Sequence, residues 1–315
     1  MSNAALTTRV WLSIALGAVL VAACGATGTT TRPGATPPAS TPAPSAATPT
    51  TSAAAPTPSA TVDPDALHMV VIGDSIPFGG HFCGGCTAFP DVYAKELEAR
   101  LGHPVEVVNR SRDDSAGMDQ IESQVTEEEK LRDEIAAADV VILSVGFNNA
   151  MPDPATGVGC KGDGITTMET WIPWLLAAKE GCLQDGLDTY AAQYDRIFSA
   201  ITDLREGKPT VYTAINVHDG NLGSPDFRDA NVSDAQKAAV DRWMIAWYDR
   251  WNEMLCGKAK QHDFACIDVY HAFNGPQGDI PNGPKNTMDG AHPSPIGHDL
   301  IASLLAKVDT TAIAR

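Results

Sequence analysis

Val70-Val71-Ile72-Gly73-Asp74-Ser75 is a continuous β-branched run that ends in a glycine, a carboxylate and a hydroxyl. Uninterrupted Val/Ile runs suit strands covered on both faces, so Met69–Ile72 reads as a strand of a parallel sheet, with Ser75 just past its carboxyl end. Runs of the same kind recur at Val105–Val108, Val140–Val145, Thr210–Ile215 and Phe264–Val269. Between them, amphipathic stretches predict helices over 90–101, 117–137, 186–206 and 233–257, with a last helix over 295–307. Such alternation predicts an α/β fold: a parallel sheet of about five strands, right-handed crossovers, and helices on both faces. Sites in these sheets form beyond the carboxyl ends of the strands. There Gly73 allows a tight turn, and Ser75 can present its hydroxyl and its own N–H to the same space.

The chain has 315 residues with 22 Lys+Arg against 39 Asp+Glu, and Arg9 and Arg32 are the only charges before Asp63. Residues 63–315 therefore carry a net charge of −19, with 20 basic and 39 acidic groups. So acidic a body argues against nucleic acid as a partner, because sequence-independent affinity comes from Lys/Arg neutralising phosphates. It equally argues against a polybasic membrane patch. With 43% hydrophobic residues, one large core and one globular domain over 66–315 are expected.

The first residues read differently. Arg9 precedes the apolar run Trp11–Ala23, about half the length that spans a bilayer as a helix, which is the shape of an export signal over 1–23. Its end, Leu20-Val21-Ala22-Ala23-Cys24, resembles the lipobox where bacterial lipoproteins are cleaved and Cys24 is acylated. An ordinary cleaved signal with an unmodified cysteine is the alternative. Residues 24–65 are dominated by Thr, Pro, Ala, Ser and Gly, too poor in large apolar side chains to offset the entropy of ordering, and read as a disordered, proline-stiffened stalk. The expected location is the extracytoplasmic face of the cell membrane, held by the lipid anchor only, with release to the wall or medium as the other outcome. Six cysteines remain: Cys83, Cys86, Cys160, Cys182, Cys256 and Cys266. An even number in an exported domain suggests three disulfides, and sequential neighbours are favoured among the possible pairings. Cys83-Gly84-Gly85-Cys86 is open to a redox or metal reading too, although no second pair with zinc spacing accompanies it.

Two apolar features admit both packing and binding. Val240, Trp243, Trp247, Trp251 and Met254 recur three or four residues apart on one helix face, better read as a buried stripe than as an aromatic cofactor or sugar platform. The segment Met151–Cys182, with Gly and Pro breakers, looks like an insertion stapled over the strand ends. Its Trp171 and Trp174 are candidates for a substrate-binding wall or for simple packing.

Near the other end of the chain, Asp289-Gly290-Ala291-His292 sets a carboxylate three residues before an imidazole. That spacing lets the carboxylate reach the imidazole N–H and fix its tautomer, leaving the other ring nitrogen to take a proton from a serine. His298, His218 and His271 are assigned to structure or rim. Between the two ends lies Ser144-Val145-Gly146-Phe147-Asn148-Asn149. In this order the segments resemble the blocks of the SGNH (GDSL-type) hydrolases: Gly-Asp-Ser, a block glycine, Gly-X-Asn-Asp, and Asp-X-X-His. Gly117 stands for the block glycine, Asn149 replaces the usual aspartate, and Ile76 stands where leucine is usual.

The resemblance implies a three-layer α/β/α, flavodoxin-like sandwich and a serine esterase or lipase needing no metal or cofactor. It casts Ser75 as nucleophile, His292 as base and Asp289 as its partner, with the Ser75 and Gly117 N–H groups and the Asn148 amide as the oxyanion hole. The expected substrate is a small-molecule, lipid or acylated-glycan ester, and the expected state is a monomer. A polysaccharide O-acetylesterase of the same fold is an alternative, and so is a noncatalytic lipoprotein that binds envelope glycans.

Overall fold

Five strands, β1 (Leu67–Gly73), β2 (Val105–Asn109), β3 (Val140–Ser144), β4 (Val211–Ile215) and β5 (Ala265–Ile267), pair in the order β2-β1-β3-β4-β5, all parallel, in the computed structural model. The structure describes residues 65–156 and 158–314; the export signal, Cys24 and the stalk lie outside the described residues. The period of two along a strand sorts its side chains between two cores. Val70 and Ile72 of β1, with Val141 and Leu143 of β3, face one core, against the helices Met118–Glu127, Glu129–Ala137, Glu180–Asp203 and Asp234–Gln261. Leu67, Met69 and Val71, with Val140 and Ile142, face the other, against Phe89–Leu101 and Pro295–Leu305. This is the three-layer α/β/α, flavodoxin-like sandwich. Because β1 pairs with β2 on one side and β3 on the other, the strand order reverses there, and a crevice opens at their carboxyl ends.

Where helices differ from the sequence expectation, local chemistry gives the reason. The single helix over 117–137 is two, broken where Glu128 adopts an extended backbone with ψ 102°. The helix expected over 186–206 begins earlier, at Glu180. The one expected over 233–257 starts on a Ser233–Gln236 capping box and runs on to Gln261. The last strand is shorter than Phe264–Val269 because the Asp268 carboxylate accepts the His271 N–H and caps a new helix, Val269–Asn274. Val240, Trp247 and Trp251 are buried as a stripe, joined by Met244, Tyr248 and Leu255; Trp243 and Met254 are half-buried at its margin. The insertion carries a helix of its own, Met168–Leu176.

The six cysteines of the domain form three bridges between sequential neighbours, Cys83–Cys86, Cys160–Cys182 and Cys256–Cys266. Among the described residues no helix is long and apolar enough to cross a membrane.

At the carboxyl ends of the central strands Gly73 pairs with Ser144, and the Asp74 N–H donates to the Ser144 carbonyl at 3.1 Å. A Cβ on Gly73 would lie 2.1 Å from that carbonyl oxygen and 2.7 Å from Pro77 Cγ. Backbone cannot yield as a flexible side chain does. Gly73→Ala is therefore expected to lower the unfolding free energy by about 1–3 kcal/mol, the usual cost of overpacking, measured by urea denaturation; unchanged stability would show that the strand ends can spread.

Candidate active site

Ser75 opens a short helical turn, Ser75–Phe78, whose N-cap Asp74 accepts the Ile76 N–H at 3.0 Å. Asp74 is enclosed, and burial pushes its carboxyl up to about 7 against the pull of the Ile76 N–H and the His292 imidazole. Ser75 itself retains only 7% exposure. Across the crevice, His292 Nε2 lies 3.0 Å from Ser75 Oγ, and its Nδ1 lies 2.7 Å from Asp289 Oδ2. The second Asp289 oxygen accepts the N–H groups of Ala291 at 3.0 Å and His292 at 2.8 Å. Burial raises the Asp289 carboxyl, but these bonds and the facing imidazole outweigh it and hold the group below its ordinary range. A carboxylate on Nδ1 fixes the proton there, so Nε2 turns a lone pair toward the serine hydroxyl.

The loop that carries Asp289 and His292 is closed by an antiparallel bridge between Thr287 and Pro293 and braced from behind by the segment after β4. His218 Nε2 donates to the Ala291 carbonyl at 2.9 Å, with its ring between Phe147 and Phe273. Asn282 Nδ2 reaches both the Asp219 carbonyl (3.1 Å) and the Gly290 carbonyl (3.2 Å). Gly220 and Gly290 touch backbone to backbone: a Cβ on either would lie 2.8 Å from the other's carbonyl oxygen. His218 is thus structural support for the His292 loop. His298, fully buried, accepts the Phe89 N–H on Nδ1 at 3.2 Å and does not meet Ser75; burial pushes it down to about 4. His271 is exposed and pairs with Asp268 at 2.8 Å.

Beyond β3, Tyr194 donates to the Val145 carbonyl at 2.8 Å and steadies the turn before Asn148. Asn148 is exposed and spends one amide hydrogen on the Ala116 carbonyl at 3.0 Å, leaving the other available. Gly117 is the N-cap of the helix Met118–Glu127, and its N–H donates to Gln120 Oε1 at 2.8 Å. The expected free donor is therefore occupied, because a capping side chain competes for the same N–H. Asn149 does a carboxylate's accepting with one oxygen, taking the Met118 N–H at 2.9 Å, and its amide donates to the Tyr190 hydroxyl at 3.4 Å.

Trp171 corrects the expected substrate wall. It is 7% exposed, lies edge-on to Phe227 and donates its indole N–H to the Pro152 carbonyl at 3.4 Å, so it is core. Trp174 is half-buried, and its indole N–H goes to the Lys161 carbonyl at 3.3 Å within the same insertion. An aromatic contact that sequence reasoning missed is Phe82, stacked on His292 at 3.7 Å between centroids.

Cys83, Cys86 and His298 lie close enough together to suggest a cation site. Both sulfurs are tied in a disulfide, and the Phe89 N–H on Nδ1 keeps the proton on Nε2, so the donor set does not suit a metal ion.

Residues 71–300 match the sequence profile described as the GDSL-like lipase/acylhydrolase family. The chain belongs to that family. It is accordingly an ester hydrolase of the SGNH type. Solved structures of similar fold include the lipase Lip_vut3 from a goat rumen metagenome, 15% identical with a TM-score of 0.55, covering 76% of this chain and 97% of that one. A lipase/acylhydrolase from Enterococcus faecalis is 15% identical with a TM-score of 0.48, covering 76% and 94%. Axe2, an acetylxylan esterase from Geobacillus stearothermophilus, is 16% identical with a TM-score of 0.48, covering 78% and 95%. No curated protein sequence matches the chain.

Burial pushes the His218 imidazole down to about 4 from its ordinary 6.5, helped by the nearby His292 and opposed by the Ala291 carbonyl and Asp289. The unfolded chain takes up this proton below pH 6.5 while the folded one resists until about pH 4. His218 therefore contributes stability that is fully present above 6.5 and is lost as pH falls toward 4. Relative to His218→Gln, wild type should lose about 3 kcal/mol of unfolding free energy over that window. Urea unfolding at a series of pH values measures it, and parallel curves for the two proteins would mean that His218 is not buried in its neutral form.

Proposed function

We propose that the chain is an exported serine esterase or lipase in which Ser75, His292 and Asp289 act as nucleophile, base and orienting carboxylate. One observation carries this reading: a single imidazole bridges the Ser75 hydroxyl (3.0 Å) and the Asp289 carboxylate (2.7 Å) through its two nitrogens. Ser75 Oγ attacks the ester carbonyl carbon as its proton passes to Nε2, and Asp289 stabilises the imidazolium. The tetrahedral intermediate collapses as the alkoxide leaves with the Nε2 proton. Water, activated by the same nitrogen, then releases the acid and restores Ser75. The oxyanion meets the Ser75 N–H and the second amide hydrogen of Asn148, each such donor contributing about 3–4 kcal/mol. Gly117 adds its N–H once Gln120 releases it. The substrate is a carboxylic ester of a lipid or an acylated glycan in the envelope.

Ser75→Ala is expected to abolish both hydrolysis of a short activated ester and covalent labelling by a fluorophosphonate. Labelling at wild-type level in that variant would remove Ser75 as the nucleophile, since such probes report an activated serine.

Export rests on Trp11–Ala23 and on the three disulfides, which persist outside the reducing cytoplasm. Acylation of Cys24 at the end of the signal would anchor the stalk and domain at the membrane's outer face, since each buried CH2 of the acyl chains contributes about 0.8 kcal/mol. Cys24→Ala should move the protein from the membrane fraction to the medium with specific activity near wild type. Retention on salt-washed membranes would exclude a lipid anchor at this position.

A further inference from the structure

The in-plane partners of His292 are Ser75 and Asp289, but its ring face has a partner too. Phe82 lies on it with planes within 8° and centroids 3.7 Å apart. His81 covers Phe82 at 3.9 Å, and Phe78, 39% exposed, stands edge-on to His81 at 5.2 Å. Four rings thus run from the imidazole to the surface.

Phe82 does not reach this place by chance rotation of a loose loop. It sits in the 3-10 turn Gly80–Cys83, and the next residue is tied to Cys86. The Gly85 N–H closes the loop onto the Gly80 carbonyl at 2.9 Å. Gly80 itself packs so tightly that a Cβ there would lie 2.8 Å from the Cys86 carbonyl oxygen. The bridge therefore holds the backbone that aims Phe82.

We propose that Phe82 is a positioning residue for proton transfer: it keeps the His292 ring in the Ser75–Asp289 plane and stabilises the imidazolium through its π face. This rests on the triad reading given above. The negative face of a benzene ring attracts a cation within about 6 Å. His292 is neutral before attack and cationic once the Ser75 proton has moved to Nε2, so the attraction is felt in the transition state more than in the ground state and raises kcat. The other titratable groups around His292 are Asp289 at 2.7 Å, Asp74 beneath Ser75, and His218 and His298 behind the loop, with His81 beyond Phe82. Of these, His81 is the group that packs on Phe82.

The test compares kcat and KM for p-nitrophenyl acetate across pH in the full domain carrying Phe82→Leu, Phe82→Trp, or pentafluorophenylalanine at position 82. Leucine keeps an apolar cover without a π face, tryptophan keeps the π face, and the fluorinated ring keeps the shape while reversing the quadrupole. Phe82→Leu and the fluorinated protein should lose roughly three- to thirtyfold in kcat at unchanged KM. In both, the acid limb of the kcat/KM profile should move to lower pH by about half a unit. Phe82→Trp should stay within about twofold of wild type in kcat. A wild-type kcat and an unmoved acid limb in the fluorinated protein would overturn the proposal, whether or not Phe82→Leu folds. So would an equal loss in all three variants, or a change confined to KM. Fluorophosphonate labelling separates the two claims. A wild type labelled at Ser75 with no effect at position 82 overturns only the role of Phe82, whereas no labelling of wild type removes the triad and this role with it.

Discussion

The site depends on the contact between the two central strand ends, where Gly73 lies against the Ser144 carbonyl and the Asp74 N–H closes onto the same oxygen. Parallel strands diverge into separate loops at their carboxyl ends, and this contact keeps the two loops together. One leads at once into Ser75, the other into Asn148. Ser75 and a side-chain amide are thereby brought to the point where the strand order reverses, and neither depends on a long mobile segment for its position. Asp74 completes the junction by capping the Ser75 turn, a carboxyl so enclosed that burial pushes it up to about 7.

The imidazole comes from much further along the chain, and its support is of a different kind. His292 lies 217 residues after Ser75, on a loop held by backbone-to-backbone packing of Gly220 on Gly290 and by hydrogen bonds from His218 and Asn282. Such bracing orders the loop and fixes the imidazole before anything binds beside it. Asp289 does three jobs with two oxygens, turning the loop through two N–H groups while orienting the ring. Phe82 adds a constraint perpendicular to these. The second carboxylate–imidazole pair at the same spacing, Asp268 and His271, makes a 2.8 Å contact, but among the described residues no serine is hydrogen-bonded to its imidazole.

Several details of the site turn on competition for hydrogen bonds. Gly117 matched the family block in sequence, yet its N–H is taken by Gln120 because a helix starts at Met118 and its first amides need acceptors. Asn149, a departure from the family pattern, loses little as an acceptor and gains a donor that Tyr190 takes up. Trp171 joined the core instead of the substrate wall because the helix Met168–Leu176 packs its apolar face onto Asp234–Gln261.

The sequence by itself determined the alternation of strands and helices, the parallel sheet and the family, because β-branched runs and amphipathic periods are local and the Gly-Asp-Ser, Gly-X-Asn and Asp-X-X-His segments are contiguous. It left the helix break at Glu128 and the early end of the last strand unread, since both follow from single backbone bonds at element ends. Only the tertiary structure decided that Gln120 covers the Gly117 amide, that Trp171 is interior, and that Phe82 lies on His292. Those outcomes depend on distances between residues far apart in the chain, or on which of two nearby acceptors an N–H chooses. Neither is fixed by local sequence until the sheet has set the loops side by side.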